Sequence, residues 1–275
     1  MGRKNRIGGY EILEEIGEGG FGKTYKARHL VLEELACIKH GHHVSSEDEE
    51  ILLNETRVIW DLRHVGLPAV RDVYRLSKGN IAIAMSYIPD PTLEKVINKV
   101  KKLDSEHVAW IAERSLNVLG YLHYNGIVHG DVKPSNLMVN DVDHRVTLID
   151  FGLSTIRPDY HSKNLGYTPY FAPPEVTSNR APPLPQADFY GLGMTMIYAL
   201  NGDDSIALEN KVIPKDVPSE IKNFIERLIV YDPKSRPRWE DENLVETLGK
   251  ARAKSFGRRR TNGEKIKGLK GGAKK

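Results

Sequence analysis

Apolar residues fall along the chain in two regimes. Up to about residue 90 they come in short runs, and Tyr10–Ile16, Thr24–His29, Glu34–His40, Val70–Tyr74 and Ile81–Ile88 each predict a strand. One helix interrupts them. It starts near Ser46, where Ser46-x-x-Glu49 has capping-box form, and runs through Ile51, Leu52, Glu55, Val58 and Ile59 towards Leu62. After Pro91 the period changes. Between Asp104 and Gly126 the residues Val108, Ile111, Ala112, Leu116, Leu119 and Leu122 recur at helical spacing, and Gly126 is a natural stop. From Ser219, the residues Ile221, Phe224, Ile225, Leu228 and Ile229 trace a single stripe. Beyond Lys250 the periodicity fades into Gly, Lys and Arg, and no fold is expected there. The pattern predicts a small strand-rich unit, then a larger helical one, with Ser86–Asp90 as the hinge.

Composition narrows the class. The 275 residues are 40% hydrophobic and 28% charged, ordinary for a globular protein. No apolar run reaches the length of a membrane span, so no membrane partner is expected. The first residues lack the apolar core of a secretory signal, and Arg6 breaks the myristoylation pattern. The single cysteine, Cys37, can build neither a disulfide framework nor a zinc cluster. A reducing, cytoplasmic location is the expectation. The net charge of +3 is unevenly spread. Residues 250–275 hold eleven Lys and Arg against one Glu, a charge of +10, so the remaining 29 basic and 36 acidic residues carry −7.

Candidate chemistry begins at Gly17-Glu-Gly19-Gly-Phe-Gly22, which matches G-x-G-x-x-G. Glycines let backbone amides approach phosphate oxygens with no Cβ in the way. The stretch fits a dinucleotide-binding turn, and with Lys23 and Thr24 it also fits the P-loop G-x-x-x-x-G-K-[ST]. Both of these need a helix directly after the loop, whereas a kinase loop needs a strand. Locally the two are evenly matched.

The residues that follow decide between them. Ala36-Cys-Ile-Lys39 has the form of the V-A-I-K strand, and Glu55 lies on the next helix. His129-Gly-Asp131-Val-Lys133-Pro-Ser-Asn136 matches H-R-D-L-x-x-x-N except at Gly130 and Val132. Asp150-Phe-Gly152 and Pro173-Pro-Glu175 come after it. Over residues 10–245 the chain resembles the eukaryotic-like serine/threonine protein kinase family. That resemblance implies an α+β, bilobal fold: a five-stranded antiparallel N-lobe with one helix over 1–88, and a mainly helical C-lobe over 89–249. A basic, disordered tail over 250–275 would complete the chain.

The same resemblance implies the roles. ATP and Mg²⁺ would be the cofactors, and the substrate a Ser or Thr hydroxyl of a protein. Lys39 would hold the α- and β-phosphates, directed by an ion pair with Glu55. Asp131 would accept or orient the proton of the attacking hydroxyl, and Lys133 would neutralise the transferring phosphoryl. Asn136 and Asp150 would offer oxygen ligands to Mg²⁺, a hard cation that prefers them. The nucleotide site would take in Gly17, Gly19, Gly22, Thr24 and Ala36, with Met85 bordering adenine and Met138 under the purine. Ser86, Tyr87 and Ile88 would supply hinge backbone hydrogen bonds. His129 reads as a packed, backbone-tethering histidine. Glu175 with Arg236 resembles the family's buried ion pair, and Asp188 its helix-anchoring aspartate.

Gly130 is the principal departure, because an arginine usually precedes the catalytic aspartate and pairs with a phosphorylated activation segment. Basal activity independent of such phosphorylation is the expectation, while Ser154, Thr155, Tyr160 and Ser162 stay candidates for modification of other kinds. His-Gly-Asp-x-x-x-x-Asn also looks like the loop of aminoglycoside and choline phosphotransferases. Lys133 and Thr168-Pro-Tyr-Phe-Ala-Pro-Pro-Glu175, with Asp188 and Arg236 bracing it, favour a protein substrate. A nucleotide-binding scaffold is the other alternative, and Lys39, Asp131 and Asp150 are all present against it. The tail reads as a solvated extension, with a polyanion or acidic partner as the sharper reading. His40-Gly-His42-His43 lacks a completing carboxylate or thiol and reads as a polar loop.

Overall fold

The strand patterns of the first ninety residues close into one antiparallel sheet. The computed structural model describes residues 5–19, 22–41, 46–76, 80–257 and 265–269, and the chain divides into two units, 1–89 and 90–275. The first unit contains β1 (Arg6–Ile7), β2 (Tyr10–Gly19), β3 (Gly22–His29), β4 (Leu35–Gly41), α1 (Ser46–Ile59), β5 (Val70–Arg75) and β6 (Ile81–Ser86). The sheet order is β1-β2-β3-β4-β6-β5. Five of these strands match the expected runs, and the two-residue edge strand Arg6–Ile7 is a sixth that the pattern missed. Two residues are too few for an alternation to register.

Side chains alternate across β6 and fill both faces of the sheet. Ile81, Ile83 and Met85 pack with Leu52 of α1, while Ala82 and Ala84 join Tyr10, Ala27, Ala36 and Ile38 on the other face. Burying each large aliphatic side chain contributes about 1.5–3 kcal/mol. The capping-box side chain of Ser46, together with His42 and His43, lies outside the described residues.

The second unit is helical around a few short strands. It runs α2 (Leu93–Val100), α3 (Ser105–Tyr124), β7 (Ile127–Val128), a 3₁₀ turn at Pro134–Asn136, β8 (Leu137–Asn140), β9 (Arg145–Leu148) and β10 (Thr155–Ile156). After these come α4 (Pro174–Thr177), α5 (Pro185–Asn201), α6 (Ser205–Glu209), α7 (Ser219–Leu228), a second 3₁₀ turn at Pro233–Ser235, and α8 (Leu244–Phe256). Every residue of α5 from Ala187 to Leu200 is buried, so α5 is the axis on which the unit is built. Because it is apolar on all sides it carries no amphipathic period, which is why its pattern is hard to read. No helix among the described residues is long and apolar enough to cross a membrane.

Two local devices brace this unit. Arg236 uses all five of its donors: Nη1 and Nη2 bond the Glu175 carboxylate at 2.6 and 2.8 Å, and the rest go to the carbonyls of Val230, Gln186 and Tyr231. Its guanidinium also lies over the ring of Tyr190 at 4.9 Å. Asp104 caps α3, accepting from the amide of His107 at 3.0 Å and from its Nδ1 at 2.6 Å.

The basic tail begins later than the sequence suggests. Helix α8 continues through the residues from Lys250 to Phe256, with Arg252 buried and bonded to Glu113 of α3. Further on, Ile266 is buried and its amide donates to Asp141 Oδ2 at 3.2 Å. A helix whose cations pair with its own unit's carboxylates shows little hydrophobic period, so charge masked it.

Two outcomes follow for stability. Arg236→Leu leaves the Glu175 carboxylate buried without its partner and should cost about 3–5 kcal/mol in chemical denaturation. Asp104→Ala should cost about 1 kcal/mol near neutral pH. The His107 hydrogen bond, opposed by partial burial, lowers the Asp104 carboxyl from 3.8 to about 2. A depressed carboxyl stabilises the fold above its unfolded value, so the gap between wild type and variant should be full above pH 4. It should close as pH falls towards 2, which urea midpoints measured across that range would check.

Candidate active site

The glycine-rich loop is followed by a strand, not a helix. Gly17 and Gly19 end β2, Gly22 opens β3, and the pairing Gly19↔Gly22 closes the hairpin; Gly20 and Phe21 lie outside the described residues. No helix N-terminus therefore follows the loop, and the P-loop and dinucleotide readings lose the element that they need. Lys23 is spent on the surface, 3.0 Å from Glu15 and 3.8 Å from Glu18.

Strand register then places the first charged pair. Thr24 stands opposite Gly17 on one side and Lys39 on the other, and Ala36 pairs with Ala27 and Ser86. The Lys39 Nζ lies 2.5 Å from Glu55 Oε2, with the two side chains 14% and 5% exposed. A pair this buried fixes the direction of the lysine, which an exposed pair would not. Cys37 sits two residues before it, and burial pushes the thiol up to about 12, so it stays protonated. At the end of β6, Met85 is buried, and Ser86 is committed to Ala69, its amide donating and its hydroxyl accepting at 2.9 Å. Tyr87 and Ile88 continue the chain past the strand.

In the second unit, α5 holds the loop that runs from His129 to Asn136. The Asp188 carboxylate accepts from the amides of His129 and Gly130 at 2.8 Å each. At Gly191 a Cβ would lie 2.7 Å from the carbonyl oxygen of Val132, so glycine lets the loop rest directly on the helix. Gly130 has φ +77, and a Cβ there would meet the Leu153 carbonyl oxygen at 2.7 Å. His129 is fully buried. Its Nδ1 accepts from the Asp131 amide, its Nε2 donates to the Ile149 carbonyl, and Phe151 packs edge-on at 4.9 Å. It is a tether between the two loops and not an acid or base.

Three side chains meet at Asp131. Thr168 Oγ1 donates to Asp131 Oδ1 at 2.6 Å, Lys133 Nζ lies 2.7 Å from Asp131 Oδ2, and the same Nζ donates to Thr168 Oγ1 at 2.8 Å. Asn136 spends both amide hydrogens on Asp131, on its carbonyl at 2.9 Å and its Oδ2 at 3.0 Å. Its amide oxygen is thereby turned away as an acceptor. Met138 is half-buried on β8, in the hairpin β8–β9 that ends just before Asp150. Asp150 has φ +66, an uncommon conformation for a residue that bears a Cβ.

The donor set fits Mg²⁺ carried by a nucleotide. Asn136 and Asp150 are hard oxygen donors, and two of them leave coordination positions for phosphate and water. Among the described residues no group of three or more His, Cys, Asp or Glu could hold a metal ion without such a partner.

The sequence reading missed His123 and Trp239, which lie directly behind Asp188. Their only local signals are a histidine on an apolar helix face and a tryptophan in a polar stretch.

A family model described as the protein kinase domain matches residues 10–244. The chain is 30% identical to a probable serine/threonine-protein kinase of Clostridium acetobutylicum, over 86% of this chain and 39% of that one. It is 27% identical to the serine/threonine-protein kinase dst2 of Dictyostelium discoideum, over 86% of this chain and 22% of that one. To the carbon catabolite-derepressing protein kinase of Candida albicans it is 28% identical, over 84% and 40%. The chain thus spans two fifths or less of the length of these relatives. With the strand after the glycine loop, the buried lysine–glutamate pair and the tethered aspartate all inside the matched span, this chain belongs to the protein kinase domain family.

Proposed function

We propose that this chain is an active protein serine/threonine kinase, moving the γ-phosphoryl of ATP onto a Ser or Thr hydroxyl of another protein. The observation that carries the reading is the Asp131–Lys133–Thr168 triangle. A threonine hydroxyl already sits on the Asp131 carboxylate, so an alcohol can be held there with its hydrogen aimed at Oδ1. Thr168 belongs to the segment ending at Glu175, and the buried Arg236 pair fixes that segment from behind. A peptide-positioning loop tied to the base favours a protein substrate over a small alcohol.

Bound ATP-Mg²⁺ would supply the transferable phosphoryl and a cation to neutralise it. The rest falls to residues of this chain. The acceptor hydroxyl displaces Thr168 from Asp131 Oδ1 and gives up its proton there as its oxygen bonds phosphorus and the bond to the ADP oxygen breaks. Lys133, already against Asp131, balances charge on the phosphoryl oxygens, the main demand of a loose anionic transition state. Asn136 keeps Asp131 oriented and, with Asp150, would hold Mg²⁺. Lys39, aimed by Glu55, holds the α- and β-phosphates, and Tyr87 and Ile88 bind adenine.

We infer further that activity does not wait for phosphorylation of the activation segment. Backbone contacts already pin its start: Thr155 pairs with Val128, Ile156 with Ile127, and the Arg157 amide donates to Gly126 at 2.6 Å. Ser154 is buried with its hydroxyl on the His129 carbonyl and the Thr155 hydroxyl is buried as well, which leaves Tyr160 and Ser162 as the accessible hydroxyls that the sequence singled out. Gly130 supplies no guanidinium to receive a phosphate.

Two further readings are proposals of lesser reach. A reducing, cytoplasmic setting goes with one protonated, part-buried cysteine. A polyanion partner for the basic tail draws little from α8, because Lys250, Arg252 and Lys254 pair with Glu246, Glu113 and Glu220. Lys265 and Lys267 are exposed and are what the described tail offers such a partner.

Transfer of labelled γ-phosphate to dephosphorylated casein and to the chain itself tests the activity. Asp131→Ala should lower the rate by about 10²–10⁴-fold, and Lys39→Ala comparably, while Lys23→Ala stays within about twofold. Label reaching only small alcohols, or a rate that depends on Lys23 and not on Lys39, would sink the proposal. In a separate arm, phosphatase treatment before assay should leave the initial rate unchanged. A lag that autophosphorylation removes would overturn the second inference.

A further inference from the structure

Behind the catalytic loop a chain of hydrogen bonds runs inwards from the half-buried Trp239 to the buried Asp188, and phosphoryl transfer itself does not use it. Trp239 Nε1 donates to His123 Nδ1 at 2.8 Å, and His123 Nε2 lies 2.8 Å from Asp188 Oδ2. An indole nitrogen can only donate, so Nδ1 must be an unprotonated acceptor. The imidazole proton is then on Nε2 and goes to the carboxylate, and His123 is neutral. Asp188 passes the chain on, through Oδ2 to the His129 amide and through Oδ1 to the Gly130 amide. Four hydrogen bonds therefore connect the indole to the two residues that precede Asp131.

The packing is fitted to this arrangement. The side chains of His123 and Asp188 are 2% and 0% exposed. Gly120 lies one turn before His123 on α3, with the indole Cζ2 and Cη2 directly over it, 3.4 Å from where a Cβ would stand. Phe189 presents its edge to both rings at centroid distances of 5.4 Å. The groups facing the imidazole can be named from each side. From α5 come the Asp188 carboxylate and the apolar Phe189, and from the segment after Arg236 comes the neutral indole. Beyond Asp188 lies His129, whose ring is fixed between the Asp131 amide and the Ile149 carbonyl.

Asp188 is thus a buried carboxylate served by three neutral donors. A proton added to His123 Nδ1 would face the indole N–H, donor against donor. Were that N–H absent, Nδ1 could charge, and a cation at 2.8 Å would draw the carboxylate towards itself and away from the two amides. We propose that Trp239 is a positioning residue for phosphoryl transfer: by holding His123 neutral it keeps Asp188 shared between the His129 and Gly130 amides, and so fixes the loop that presents Asp131.

The proposal rests on the kinase reading, and two measurements keep their failures apart. In the full chain, Trp239→Phe retains an aromatic ring and removes the N–H. The ratio of variant to wild-type kcat on casein should fall about tenfold between pH 7.5 and pH 5.5, the range over which an imidazole of pKa about 6.5 charges. KM for ATP should stay within about twofold, because Lys39 and the glycine loop are untouched. A ratio that does not vary with pH overturns the proposal. Nitrogen-15 NMR of the wild-type imidazoles needs neither activity nor a folded variant. His123 should show a protonated Nε2 and an acceptor Nδ1, unchanged from pH 5.5 to 8.5, and a titrating ring or the opposite tautomer overturns the lock. Wild-type chain that shows the tautomer but transfers no phosphate would defeat the kinase reading, and the positioning role with it.

Discussion

A carboxylate that never meets water, that of Asp188, joins the central helix to the loop where the candidate chemistry resides. It is the point through which the second unit controls Asp131. Burying an unpaired carboxylate is expensive, and here three short hydrogen bonds offset that cost while no cation helps. The bonds come from α3 and from the backbone of the loop, so the carboxylate is satisfied only when both are in register. Gly191 completes the arrangement by letting Val132 lie against the helix without a Cβ between them. The loop is irregular, yet two of its backbone amides and the Val132 carbonyl rest directly on α5.

The two units solve the same problem differently. In the first, Lys39 is aimed by a single buried partner carried on a helix, and strand register sets where along β4 it emerges. In the second, Asp131 is aimed by a mesh: Asn136 from the 3₁₀ turn, Thr168 from the activation segment and Lys133 from the loop itself. A mesh tolerates less, because displacing one member frees polar groups on the others. Its advantage is that the charge of Asp131 is balanced before any substrate arrives.

Much of this was legible in the sequence because motif residues with fixed chemical roles also have fixed spacing. Lys39 and Glu55, Asp131 to Asn136, and Asp150 could be named one by one, and the structure places Lys39 on β4, Glu55 on α1 and Asn136 at the end of the first 3₁₀ turn. The glycine loop was legible only through what followed it, since its own letters fit a helix as well as a strand. Helix α5 was marked by Asp188 alone, because a segment buried all round has no polar face to give a period. The end of α8 was hidden by its own charge. Least visible was the Trp239–His123 contact, made by residues 116 apart with no repeating pattern to link them. Such pairings are properties of packing, and local propensity says nothing of them.

The Arg236–Glu175 pair bears on how the chain is made. Glu175 leaves the ribosome 61 residues ahead of its partner, and the side chain that meets all its bonding needs does not exist until then. During that interval the segment after Thr168 has a carboxylate bound for the interior and nothing there to receive it. The half-finished second unit must therefore keep this carboxylate in water, and its final closure waits for the 3₁₀ turn at Pro233–Ser235 to arrive.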